Sequence, residues 1–325
     1  MRKMLFILGL LLVMSSCTDT NNHQVDVSTI NAKVNSVRFE QAFFTAKPSE
    51  LPKLKKEYPL FFNPATPDSV WVAQMTDTLN LELFHETQQV FPTFDKQKKD
   101  FQDLFKHIKY YYPSWKEPEV NTLINYVVYP DRMIYAQRYN KLLVSIDNYL
   151  GEKDSLYVEV PTYMKAQMKP TQIVPDAALA IGASFVTKPY DTHFLANMIY
   201  EGKKLYLSDL FIPSASDAEK INYTEAQLQW AKDNEPFIWE YYVSREMLYS
   251  NNKKLRKYFL ELAPFSKFFL EVDADSPGRI GQWMGWQIVR AFMQNNKDVP
   301  LDKMLQMEAD ELLKKSKYKP RKIAN

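Results

Sequence analysis

The chain of 325 residues is poor in cysteine, glycine and histidine, with 1, 7 and 4 respectively. A single thiol forms no internal disulfide, so the fold must hold in an oxidising compartment without covalent staples. Sparse glycine leaves no Gly-x-x-x-x-Gly-Lys-Ser/Thr phosphate loop and no Gly-x-Ser-x-Gly nucleophile elbow. His85-Glu86 runs on to Gln89, and His193 meets Asn197 four residues later, so neither completes the His-Glu-x-x-His pair that brings two imidazoles to one zinc. His23 and His107 stand alone. No apolar run approaches the ~20 residues needed to span a bilayer. A formal charge of +2 gives no concentrated basic face for nucleic acid, and the tail cluster Lys314, Lys315, Lys317, Lys319, Arg321 and Lys322 reads as a solvated terminus.

The one cysteine is the most informative residue present. Cys17 follows Arg2-Lys3, an apolar stretch from Met4 to Met14, and Ser15-Ser16. Positive, apolar and small segments in that order are the layout of a bacterial lipoprotein signal, with Cys17 as the acylated mature N-terminus. Each lipid methylene buried contributes ~0.8 kcal/mol, so two or three acyl chains anchor the protein to a membrane. With Cys17 committed to lipid, no thiol remains as a nucleophile. The expected organisation is a signal peptide over residues 1–16, a lipidated cysteine and flexible tether over 17–33, and a single globular domain over 34–325. The tether reading rests on the polar stretch Thr18 to Lys33, which lacks a hydrophobic period.

Large rings dominate the core inventory: 20 Phe, 20 Tyr and 6 Trp. Ordered structure is expected to start at Val37-Arg-Phe-Glu-Gln-Ala-Phe-Phe44. A helical stretch then follows Pro67-Asp68 with Leu79, Leu83, Phe84 and Val90 as apolar positions. Asp95 is the expected N-cap of a helix whose buried stripe is Phe101, Leu104, Phe105, Ile108 and Tyr112, ended by Pro113. Period-two alternation at Val120, Thr122, Ile124, Tyr126 and Val128, with Met133 to Tyr139 and Lys141 to Asp147, predicts a small antiparallel sheet. Helices return after Gly151, one of them opened by a capping box at Thr224-Glu-Ala-Gln227. The expected class is α+β, mainly α.

The segment Ser276-Pro-Gly-Arg-Ile-Gly-Gln-Trp-Met-Gly-Trp-Gln-Ile-Val-Arg290 holds three of the glycines. Gly281 and Gly285 lie one helical turn apart, and a mid-helix glycine costs ~1 kcal/mol against alanine, so another element is expected to approach this backbone closely. Tight internal packing is the first reading, and a partner groove floored by the bare face is the second. The acidic turn Asp273-Ala-Asp-Ser-Pro-Gly278 lacks the remaining ligands of a calcium loop and reads as a loop before a helix.

The segments Asp147-Asn-Tyr-Leu-Gly151, Asn197 to Leu207, Trp230 with Asn234-Glu235 and Trp239, and Ser276 to Arg290 together resemble the gliding-motility lipoprotein GldB family of Bacteroidetes-type bacteria. The resemblance implies a cell-envelope lipoprotein required for gliding, with type IX secretion and motility proteins as partners. The same layout looks like a distant relative of zinc peptidases. In that comparison Asp176 to Phe185 occupies the place of the metal helix without a histidine, and Glu201 matches the third ligand. A degenerate zinc-peptidase-like scaffold follows, with no catalytic residue, metal or cofactor expected. The candidate functional surface is Glu201, Gly202, Lys203, Gly281, Trp283, Gly285 and Trp286, with Glu201 read as a structural carboxylate paired with a nearby base. The alternatives are an envelope metallohydrolase drawing on Asp147, His193 and Glu201, and a lipid-anchored nutrient-binding module. Thr18-Asp19-Thr20 lacks the acidic run associated with surface export, which favours the periplasmic side.

Overall fold

Fifteen α-helices and four short strands, joined by turns and short 3-10 helices, form the described part of the chain, residues 23–190 and 192–320 of a computed structural model. The helices are α1 (Phe39–Phe44), α2 (Leu51–Glu57), α3 (Asp68–Thr76), α4 (Thr78–Val90), α5 (Asp95–Tyr111), α6 (Thr162–Lys165), α7 (Ile173–Gly182), α8 (Phe194–Phe211), α9 (Asp217–Ile221), α10 (Glu225–Asp233), α11 (Glu235–Ser244), α12 (Lys253–Phe259), α13 (Ile280–Asn295), α14 (Leu301–Gln306) and α15 (Ala309–Ser316). The strands are β1 (Ser36–Arg38), β2 (Glu119–Leu123), β3 (Met133–Ala136) and β4 (Lys141–Ser145). The protein is α+β and mainly α.

The sheet is mixed, not antiparallel. Its order is β1-β2-β4-β3, with β1 parallel to β2, β2 parallel to β4, and only β3 antiparallel to β4. Alternation marks which faces are buried but carries no information on strand direction, and the parallel pairing of Ser36 with Val120 spans the intervening helices α1 to α5. The strand expected to run to Val128 stops at Leu123. Beyond it the backbone turns through Tyr126 and Val127, both at positive φ (61° and 58°).

Helix signals fared better. Phe101, Leu104, Phe105 and Ile108 are fully buried on α5, and Asp95 is its first helical residue rather than the cap. The Thr224–Gln227 capping box forms, Gln227 N donating to Thr224 Oγ1 at 3.2 Å and Thr224 N to Gln227 Oε1 at 3.0 Å. The stretch after Asp68 is two helices, because Asp77 accepts the Asn80 N–H and caps a new one, α4. That break leaves Leu79 73% exposed rather than in the core.

One large core surrounds the central helix pair α8 and α13, and a separate aromatic lobe is built from α1 to α3 around Phe43, Leu51, Leu54, Phe62 and Met75. The stretch read as tether is seated on the body from His23 onward. The His23 ring meets Tyr206 edge-on at 5.5 Å, Ala32 is buried, and the Ala32 carbonyl accepts from Gln102 at 3.0 Å. An imidazole ring, one alanine and a backbone carbonyl supply these contacts, none of which leaves a hydrophobic period in the sequence. Cys17 and the signal segment lie outside the described residues.

Candidate functional site

Of the residues nominated as a functional surface, Gly202 and Gly285 make the close contact between α8 and α13, and the others lie around it. A Cβ on Gly202 would lie 2.3 Å from the Gly285 carbonyl, and one on Gly285 would lie 1.9 Å from the Met198 oxygen. A Cβ on Gly281 would meet Leu260 at 2.8 Å and the Phe259 oxygen at 2.9 Å. Trp283 and Trp286 are buried and edge-to-face at 5.8 Å. Lys203 is buried too, its Nζ donating to the Leu305 and Met307 carbonyls at 3.0 and 2.6 Å where α14 ends. Burial pulls its pKa down to about 8. Glu201 is half-buried and paired with Lys204, as a structural carboxylate should be. Bare backbone is required at Gly202, Gly281 and Gly285, where a Cβ would overlap a neighbouring element.

A buried ionic cluster closes the far end of that contact. Asp209 on α8 accepts from Trp286 Nε1 at 2.9 Å, from Arg290 Nε at 2.7 Å and Nη2 at 2.6 Å, and from Lys220 Nζ at 3.1 Å. Arg290 also binds Asp217 and stacks 3.7 Å over Trp286. Burial opposes the Arg290 charge, but the two carboxylates outweigh it and raise its pKa. Burial likewise works against ionised Asp217, and the Arg290 hydrogen bonds more than offset this and lower its pKa. The cluster ties α8, α9 and α13 together.

On α7, Ala177, Ala178 and Ile181 are fully buried. Its one titratable side chain, Asp176, accepts from Arg132 Nε at 2.5 Å and Nη2 at 3.0 Å and from the Tyr149 hydroxyl at 2.8 Å. Arg132 lies 3.9 Å over the Tyr129 ring. Among the described residues, no group of three or more His, Cys, Asp and Glu is placed to hold a metal ion. The set Asp147, His193 and Glu201 is not assembled. His193 caps α8 by accepting from Ala196 N at 3.1 Å and lies 3.6 Å from Asp310; Glu201 sits about two turns further along α8; Asp147 follows β4 with a different set of partners.

A concave, mainly apolar site lies elsewhere, at the C-terminal ends of the parallel strands β1 and β2. Residues leaving β1 and β2 form a cleft of about 270 Å³ with the aromatic lobe, walled by Phe39, Phe43, Phe44, Phe61, Trp71, Leu123, Ile124 and Tyr126, with Glu40 and Gln74 as its polar lining. Glu40 is buried, and its carboxylate is engaged by Arg38 and by Thr122 Oγ1, the latter at 2.5 Å. The Trp71 Nε1 is buried without an acceptor.

Asp147 shapes the far wall. Leaving β4, it is wholly buried and accepts from Val127 N at 2.6 Å and Asn125 N at 3.2 Å. Burial raises its pKa to about 6 despite those hydrogen bonds. Asn125 completes the clamp, its Oδ1 accepting from Val128 N at 3.1 Å and from Asn148 Nδ2 at 2.7 Å. The clamp holds Tyr126 and Val127 left-handed and leaves the Tyr126 ring, 43% exposed, on the cleft wall. Burial and the nearby Asp147 and Asp77 charges raise the Tyr126 pKa. Sequence reasoning missed this site; the aromatic density of Val37 to Phe44 was its one visible sign.

A family model described as gliding motility protein GldB matches residues 20–320. The chain belongs to the GldB family. No curated protein and no solved structure matches it. Membership of the GldB family makes this a gliding-motility-related lipoprotein, consistent with an envelope protein held by lipid. Among the described residues, no helix is long and apolar enough to cross a membrane.

Proposed function

We propose that this GldB-family lipoprotein acts in gliding through noncatalytic contacts with proteins of the motility and type IX secretion machinery, anchored by acylated Cys17 on the periplasmic side of the envelope. The observation that carries the noncatalytic reading is α7. Its inward face is alanine and isoleucine against α8, and Asp176 is locked to Arg132 and Tyr149, so the helix presents no base or ligand to a substrate.

The test has two arms. Purified protein is assayed for stoichiometric zinc by elemental analysis and for hydrolysis of casein and peptide substrates; one tightly held zinc per chain with peptidase activity would overturn the noncatalytic reading. In cells, deletion of the gene should stop colony spreading while growth in liquid continues, and crosslinking in intact cells should capture motility or type IX components. Normal gliding in the deletion strain would refute the motility role.

A further inference from the structure

We infer that the body lies against the bilayer by one end, where the C-termini of α8, α13 and α15 come together, and that the lysines of that end are held by the phosphates of anionic phospholipid. The inference rests on the lipid anchor at Cys17 proposed above and adds to it a surface that orients the body on the membrane.

The length of the leash limits which face can meet the bilayer. The chain joins the body at His23, whose ring stands against Tyr206 in the last third of α8. His23 is six residues after Cys17, and whatever course they take these residues span no more than ~20 Å. From Tyr206 back to Phe194, where α8 begins, is ~18 Å along the helix, whereas Phe211 at its other end is only ~8 Å away. A bilayer beyond the start of α8 would use up almost the whole leash before the acyl chains entered it. One beyond the end of α8 is within easy reach.

That same end gathers positive charge. Helices α8 and α13 run in the same direction: a Cβ on Gly281 would meet the Phe194 ring at 3.4 Å, one on Gly285 would meet Met198, and further along Arg290 binds Asp209. Helix α15 follows them. It starts where Asp310 lies 3.6 Å from His193, and it ends where Asn295 Nδ2 donates to the Ser316 carbonyl at 2.8 Å and Asn296 Nδ2 to the Lys315 carbonyl at 3.1 Å. Lys297, just past α13, and Lys314, Lys315, Lys317 and Lys319, at the end of α15 and beyond it, are all exposed. With Lys303 they make six lysines against Asp298, Asp302 and Glu311 over residues 294–303 and 311–319, a local charge of +3 where the whole chain carries +2.

The chemistry of these side chains suits a lipid surface. Lysine is a flexible point charge without the planar fork that arginine offers a fixed phosphate, and a sheet of mobile headgroups demands no fixed geometry. Attraction to an anionic surface dies away within a Debye length, so lysines act on it only when something holds them close, which is what a ~20 Å leash does. An exposed ring of the kind enriched at membrane interfaces sits at the same end: Tyr110 is 45% exposed on the last turn of α5, and its neighbour Tyr111 lies 6.5 Å from Phe211. The start of α8, where Phe194 N donates to the Ser250 carbonyl at 3.0 Å, then points away from the bilayer.

The mature chain carrying Cys17→Ser, which has no acyl group of its own, is sedimented with phosphatidylcholine vesicles prepared with and without phosphatidylglycerol. Binding should require the anionic lipid, weaken with added salt, and fall at least ~10-fold when Lys314→Gln, Lys315→Gln, Lys317→Gln and Lys319→Gln are combined. The urea midpoint should not move, since all four side chains are exposed. Orientation is read by placing an environment-sensitive dye on Gln294→Cys or on Asn251→Cys in the same Cys17→Ser chain, both exposed positions, with vesicles that carry a headgroup quencher. The dye at 294 should be quenched and the dye at 251 should stay bright. Equal binding to the two kinds of vesicle, undiminished binding by the four-lysine variant, or stronger quenching at 251 than at 294 overturns the inference. None of these outcomes depends on acylation: failed palmitate labelling with anionic-lipid binding intact would remove the anchor at Cys17 and leave this surface, and labelling without lipid selectivity would remove the surface alone.

Discussion

A Cβ on Gly202 would sit 2.3 Å from the Gly285 carbonyl, so α8 and α13 meet backbone to backbone at the centre of the core. Packed interiors do not absorb such an overlap, and overpacking of this kind costs ~1–3 kcal/mol or more. Gly285→Ala should lower the unfolding free energy by that order, read as a lower urea midpoint, and Gly285→Leu should reduce cellular abundance together with thermal stability. A Gly285→Leu protein with normal melting temperature and lost gliding would mean that the face is a partner groove after all.

How far the sequence revealed this contact depends on the residue. Gly281 and Gly285, one turn apart on a helix, announced a close approach, since nothing else explains two glycines there. What approaches was hidden, because Gly202 stands alone on α8 and its pairing with Gly285 is a tertiary fact. The α5 stripe was legible for the opposite reason: Phe101 to Ile108 repeat at helical spacing and all face one core. The parallel pairing of Ser36–Arg38 with Val120–Thr122 was not, as no local period encodes partner or direction. The cleft was least legible. Its key backbone, Tyr126-Val127, adopts a conformation normally supplied by glycine or asparagine, and the carboxylate that enforces it lies some 20 residues downstream.

Asp209 gives the second prediction. Its wholly buried carboxylate is the common acceptor for Trp286, Arg290 and Lys220. Asp209→Ala would leave two cations in the interior with one partner fewer, and breaking a buried pair from one side typically costs ~3–5 kcal/mol. Chemical denaturation should show a loss of this order, larger than that of Lys220→Met, which removes a cation and leaves Asp209 with Arg290. Equal losses in the two variants would contradict the central place of Asp209 in the cluster.

The lipid anchor is tested at the residue that the signal layout nominates. Cys17→Ala should abolish incorporation of labelled palmitate and leave a longer precursor, since the peptidase needs the acylated cysteine that Arg2-Lys3, the apolar stretch and Ser15-Ser16 lead up to. Unchanged labelling would place the acyl group elsewhere.

The last prediction concerns pH and Asp147. Burial lifts its pKa from the ordinary 3.8 to about 6 in the folded chain. Between those two values the folded protein keeps a proton that the unfolded chain has released, so raising the pH through this window favours unfolding, and the contribution is flat above it. The expected loss is on the order of 1–3 kcal/mol across the window. Asp147→Asn does not titrate, and its amide nitrogen cannot accept from Val127 or Asn125, so it carries a loss of ~1–3 kcal/mol that does not vary with pH. Subtracting the variant from the natural protein cancels the other carboxylates. The stability advantage of the natural protein over Asp147→Asn should therefore be largest near pH 4, shrink as the pH rises to about 6, and stay constant beyond. Urea midpoints across that range decide it. An advantage that grows with pH would mean that the clamp on the Asn125–Val128 loop favours the ionised carboxylate strongly enough to overcome its burial.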